Sequence, residues 1–171
     1  IKHFYYSMTI YQLLSENPLL GDVEIKKKLP YTLVIVAKPR TPIARLYTNG
    51  RSVDVDREGM VVSESMPGAT LPTVFFEISS IRIGQKIRSP QVTQALAAIA
   101  AFGTFMLIDS ITELDSQSLQ ITSGILRIYI AQEAQISDIA ATLQTLLNGF
   151  RIKGTLPAVI DLRFTKPVIT F

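Results

Sequence analysis

Apolar residues recur along this chain with two periods, and the switches between them mark out its elements. Over residues 1–16, Phe4, Met8, Tyr11 and Leu14 stand at helical spacing, with Tyr5, Ile10 and Leu13 widening the stripe; this predicts an amphipathic helix. Asn17-Pro18 ends it, because proline disfavours the helical conformation in the residue before it. Val23 and Ile25 then alternate with charged residues, Leu29-Pro30-Tyr31 supplies a turn, and residues 32–38 are apolar and rich in β-branched side chains. That pattern is a hairpin. Pro39 and Pro42 break its ladder or lie on its edge, and residues 43–48 resume as a strand.

From Tyr47 onward the turn signals become dense. Asn49-Gly50 is a strong hairpin signal because both residues tolerate positive φ. Arg57-Glu58-Gly59 separates Val53-Asp54-Val55-Asp56 from Met60-Val61-Val62, which extends the hairpin into a meander. Residues 65–72 form a loop rich in Pro, Gly and Ser, and residues 73–78 a further strand. Ser89-Pro90 reads as a helix cap with proline at the first helical position, followed by an apolar face of Val92, Ala95, Leu96, Ile99, Phe102 and Met106. Ser137 and Asp138 open a second helix carrying Ile139, Leu143, Leu146, Leu147 and Phe150, with Gly154 after its end. Strands at 111–114, 118–122 and 125–130 lie between the helices, the last two joined by Ser123-Gly124. The chain closes on two short strands. In the first, Ala158, Ile160, Leu162 and Phe164 alternate with Val159, Asp161 and Arg163. Strands and helices that run in blocks rather than in strict alternation predict an α+β fold.

Composition narrows the function classes. The 171 residues are 47% hydrophobic, enough for a real core, and the formal charge is only +3. Apart from Lys26-Lys27-Lys28 the cations are scattered, so no nucleic-acid groove is expected. The absence of cysteine removes disulfides, thiol catalysis and cysteine-based zinc sites. The longest apolar run, residues 95–108, falls short of the roughly twenty residues a membrane span needs. The first residue is Ile1, which suggests an excerpt or a processed form with any anchor upstream.

Candidate chemistry is sparse. The single histidine, His3, sits in a terminal turn. Asp54 and Asp56 are two apart on one strand face beside a turn, as are Glu113 and Asp115 near a strand end; both pairs read as solvated carboxylates rather than cation ligands. Gly50, Gly59, Gly68 and Gly84 are isolated in turns and make no phosphate loop. Lys26-Lys27-Lys28 reads as a solvated strand end, with anionic lipid as the other possibility. An enzyme with an apolar pocket would need convergent polar groups, which the sequence does not display. No catalytic, metal or cofactor site is therefore expected.

Three stretches resemble one family. Residues 17–44, with Leu29-Pro30, Thr32-Leu33 and Pro42-Ile43-Ala44, resemble the second half of a POTRA domain as found in the bacterial division proteins FtsQ and DivIB. Val53-Asp54-Val55-Asp56-Arg57-Glu58-Gly59-Met60-Val61-Val62, followed by Leu71-Pro72, is similar to that family's strand, acidic-Gly turn and strand. Ile160-Asp161-Leu162-Arg163-Phe164 resembles its Ile-Asp-Leu-Arg-Tyr/Phe. Where the family carries an arginine or a glutamate–arginine pair, this chain has Lys38-Pro39-Arg40. The resemblance implies a partial POTRA domain over residues 1–46, its first strand and helix missing upstream, and a mostly antiparallel β domain with two packed helices over residues 47–171. It implies a non-enzymatic divisome scaffold on the extracytoplasmic side of the cell membrane, anchored by a single span before Ile1, that binds FtsB-like or DivIC-like and FtsL-like partners at the septum. A POTRA-containing module that binds polypeptides in outer-membrane assembly or secretion is the alternative.

Both routes lead to the C-terminus. A sheet that ends on a short strand has an edge, whose unpaired N–H and C=O groups are either blunted or used to dock another chain. By the resemblance, Arg163, Phe164, Thr165, Lys166, Val168, Ile169, Thr170 and Phe171 form the partner-binding segment, with Arg163 and Lys166 facing acidic partner side chains. A sheet that covers its own edge is the competing outcome, and Lys166 with Pro167 are residues that blunt edges.

Overall fold

The turns build the first half of the sheet. Asn49 (φ 47°) and Gly50 (φ 75°) both take left-handed backbone, so strand β3 (Pro42–Thr48) folds directly back on β4 (Arg51–Asp56). Gly59 (φ 80°) turns the chain again into β5 (Val61–Glu64). These coordinates come from a computed structural model that describes residues 10, 12–65 and 70–171. Most of the expected N-terminal helix, His3 included, lies outside the described residues; residues 10 and 12–16 are helical.

Two sheets result. Strands β1 (Leu20–Lys28) and β2 (Thr32–Pro39) pair antiparallel as a separate hairpin, in register from Lys28↔Thr32 to Val23↔Ala37. The second sheet has nine strands. To β3, β4 and β5 it adds β6 (Thr73–Phe75), β7 (Ser110–Asp115), β8 (Ser118–Ser123), β9 (Leu126–Ala131), β10 (Val159–Asp161) and β11 (Val168–Thr170). Their order is β11-β10-β9-β8-β7-β6-β3-β4-β5. Most neighbours are antiparallel; β3–β6, β6–β7 and β9–β10 are parallel. The fold is α+β with a large, mostly antiparallel sheet. Strand β3 runs through the expected division between residues 46 and 47 and pairs with β4 and β6, so the break between the two sheets falls at residues 40–41.

Helix α1 (Pro90–Phe102) starts as its sequence dictates: Ser89 Oγ accepts the Val92 N–H at 3.3 Å, and Pro90 occupies the first turn, where its missing N–H costs nothing. Helix α2 (Ile136–Lys153) begins at Gln135, which gives no side-chain cap, so the expected Ser137 cap lies inside the helix instead. Its end is as expected, on left-handed Gly154 (φ 70°), whose N–H reaches the Phe150 and Arg151 carbonyls. The helices pack on each other and bury Val92, Leu96, Phe102, Leu143 and Leu147 in one core with Leu46, Val74, Ile111, Ile121, Ile128 and Ile160. That core lies on one face of the sheet. Alternate residues therefore turn to the other face, where Arg45, Thr73, Ser110, Thr122 and Arg127 fall in one cross-strand row.

Asp54 and Asp56 overturn the reading of solvated acids: both are buried. Asp54 accepts hydrogen bonds from Arg45 Nε at 3.3 Å and Ser65 Oγ at 2.6 Å. Asp56 accepts from Arg40 and from the N–H groups of Glu58 and Met60 at 2.9 and 2.8 Å, so it holds the β4–β5 turn and receives the cation at the root of the hairpin. A strand-face acid beside a turn is cheap to bury when an arginine and free N–H groups converge on it.

Candidate partner-binding edge

The nine-stranded sheet has two ends, and they are treated differently. At β5 the start of the edge is covered: Val61 donates its N–H to the Gln85 carbonyl at 3.0 Å and accepts from Gly84 at 2.8 Å, while Gly59 accepts from Ile87 at 2.9 Å. Met60 and Lys86 form a bridge there. At the other end, among the described residues, β11 has a strand neighbour on one side only, β10.

The direction of the free groups on β11 follows from strand alternation. On either side of β10 the Ala158 carbonyl accepts from Arg127 and Leu162 donates to Tyr129, so Ile160, of the same phase, addresses β9, while the Ala158 N–H donates to the Thr170 carbonyl at 2.8 Å. Val159 and Asp161 then address β11, where they stand opposite Thr170 and Val168. Ile169, between those two, points its own N–H and C=O away from the sheet. Pro167 has the same outward phase, so its missing N–H is lost from the free edge and not from the β10–β11 ladder.

The expected site residues divide between the β10–β11 loop and the edge itself. Arg163, Phe164, Thr165 and Lys166 lie in the loop; Val168, Ile169 and Thr170 form β11; Phe171 follows it. Phe164, Val168 and Phe171 are 60%, 53% and 72% exposed, which leaves three large apolar side chains along one margin. Ile169 turns inward and packs against the core. Phe171 is held edge-on to Phe150 of α2, with ring centroids 5.8 Å apart. Thr165 and Lys166 are exposed.

Arg163 already has acidic partners within the chain. Its Nε and Nη2 grip Asp161 at 2.9 and 2.6 Å, and Nη1 stands 3.8 Å from Asp115. The guanidinium lies over the rings of Tyr129 and Phe164 at 5.4 and 5.5 Å. It forms one wall of a shallow groove of about 410 Å³ between Phe164 and the β7–β8 turn at Asp115 to Ser118. No local pattern places Asp115, Tyr129 or Phe150 in this margin, since each arrives from a distant strand or helix. The Asp161/Arg163 spacing of two was the one local signal, because it puts both side chains on one strand face.

The Arg163 hydrogen bonds hold the Asp161 carboxyl below the usual carboxylate range, against the opposing effect of burial. A depressed acid stabilises the fold at pH values above its unfolded pKa, about 3.9, and that contribution is lost as pH falls through the folded value. Asp161→Asn should therefore cost about 1–2 kcal/mol at neutral pH and lose less stability than the wild type below about pH 4. Urea denaturation across that range checks it; parallel pH profiles for the two proteins would contradict it.

Among the described residues no group of three or more His, Cys, Asp and Glu could hold a metal ion. No helix among them is long and apolar enough to cross a membrane. The chain matches no protein-family model, and no curated protein matches it.

Proposed function

We propose that this chain is the extracytoplasmic part of a bacterial divisome scaffold of the FtsQ/DivIB type, a non-enzymatic protein that binds FtsB-like or DivIC-like and FtsL-like partners by strand addition at its C-terminal edge. The observation that carries the reading is the asymmetry of the sheet: residues 84–87 bond to the start of the β5 edge at Gly59 and Val61, whereas among the described residues no strand pairs with the outer side of β11, which exposed Phe164, Val168 and Phe171 flank. The resemblance at residues 17–44, 53–62 and 160–164 supplies the family and its partners. In this reading residues 20–39 are the end of a POTRA domain that recruits, and an upstream span ties the protein to the cell membrane at the septum.

A partner strand laid on β11 would bond to the outward groups of Ile169 and Phe171 and cover Val168 and Phe171. Arg163 would take part through its remaining donors and its exposed ring stack, since Asp161 occupies most of the guanidinium. Lys166 is the freer cation for an acidic partner residue. The deciding experiment is binding of the 171-residue chain to an FtsB-like or DivIC-like segment, with and without residues 166–171. The proposal expects binding to vanish on deletion while the circular dichroism spectrum persists. Undiminished binding by the deleted chain would sink it.

A further inference from the structure

We infer that the tip of the β1–β2 hairpin docks on an anionic lipid bilayer. This does not depend on the reading of the C-terminal edge. Leu29 is 80% and Tyr31 98% exposed, at the end of a hairpin whose ladder pairs with no other strand among the described residues. Lys26, Lys27 and Lys28 are all exposed just behind them. The strand alternation places Lys26 and Lys28 on one face and Lys27 on the other, so cations surround the tip. Lys26 pairs with Glu24 at 2.9 Å, on the side away from the tip, and residues 25–40 contain no acid at all.

An aliphatic and an aromatic side chain thrust beyond a collar of lysines suit the bilayer interface. Leucine gains by entering the acyl boundary, tyrosine favours the headgroup level, and each lysine near an anionic surface adds attraction. A folded protein partner fits less well. A stable protein interface buries about 800 Å² on each side, and a narrow hairpin end with two protruding side chains offers far less. A fluid surface needs no matching pocket.

The chain has no tryptophan, so Tyr31→Trp makes a single reporter at the tip. With vesicles of phosphatidylcholine containing about a third phosphatidylglycerol, its emission should shift to the blue and be quenched by brominated acyl chains. Pure phosphatidylcholine should leave it unchanged. Replacing Lys26, Lys27 and Lys28 by glutamine in that background should weaken binding roughly a hundredfold, at about fivefold per lysine. Leu29→Ser should reduce vesicle flotation of the wild-type chain several-fold, with an unchanged circular dichroism spectrum. An unshifted emission with anionic vesicles overturns the proposal, as does equal binding by the glutamine variant. A shift with soluble polyglutamate but not with vesicles overturns it in favour of an acidic polypeptide.

Discussion

Ile169→Pro should abolish capture of a partner strand and leave the protein folded. Ile169 is the one β11 residue whose backbone groups face away from β10, by the alternation that sets Val168 and Thr170 opposite Asp161 and Val159. Proline there removes the central donor of the free edge and puts its ring in the path of an incoming chain. Affinity for an FtsB-like or DivIC-like segment should fall at least about a hundredfold, which is roughly 2.7 kcal/mol. The fold should lose about 1–2 kcal/mol, because the Ile169 side chain is only partly buried. Val168→Pro is the control: it removes an N–H that faces β10, so it should loosen β11 itself and lower thermal stability more than Ile169→Pro does. Calorimetric titration beside thermal melts separates the two effects. Wild-type affinity in Ile169→Pro would refute strand addition at this edge.

What was legible in the sequence was local. Asn49-Gly50, Ser89-Pro90 and Gly154 each fix a backbone conformation through their own chemistry, and each stands where that chemistry predicts. Of the terminal alternation, Ile160 and Leu162 do face the core, but the strand stops at Asp161, so Phe164 falls in the following loop and is exposed. Burial on the opposite face was not legible. Asp54, Asp56 and Asp161 look like solvent-facing acids until Arg45, Arg40 and Arg163 are brought to them, and two of those pairings depend on how chain segments meet. Strand order was equally hidden. Nothing in Thr73–Phe75 announces that it will sit parallel between β3 and β7, because such pairing depends on crossovers through distant segments. The β5 edge shows the same limit: a loop supplies its cover through backbone bonds at Gly84 to Ile87, which no side-chain pattern encodes. The place of β11 at one end of the sheet is the part of the strand order that the short terminal strands themselves suggest.

Asp56→Ala should be among the most damaging single changes on the polar face of this sheet, at roughly 3–5 kcal/mol. Asp56 is 5% exposed and joins two structures. One carboxylate oxygen accepts the N–H groups of Glu58 and Met60, which fixes the turn in which Gly59 has φ 80°. The other receives Arg40, whose Nε is spent on the Pro18 carbonyl at 2.8 Å. Burial works against the Arg40 charge, but its bonds to Asp56 and Glu58 outweigh that and raise its pKa. Alanine would leave this half-sequestered cation with Glu58 alone, a largely exposed acid at 3.0 Å, and would orphan two N–H groups in the turn. Asp56→Asn keeps an acceptor for the turn and gives up the charge, so it should cost less, about 1–3 kcal/mol. Arg40→Met tests the other half of the link. It should raise hydrogen exchange in β1 and β2 while the nine-stranded sheet stays protected, because Arg40 ties the root of the hairpin to Asp56. Urea denaturation of the three variants, read with amide exchange, distinguishes a turn clamp from a hairpin tether. An Asp56→Ala protein within about 1 kcal/mol of the wild type would show that neither role matters to stability.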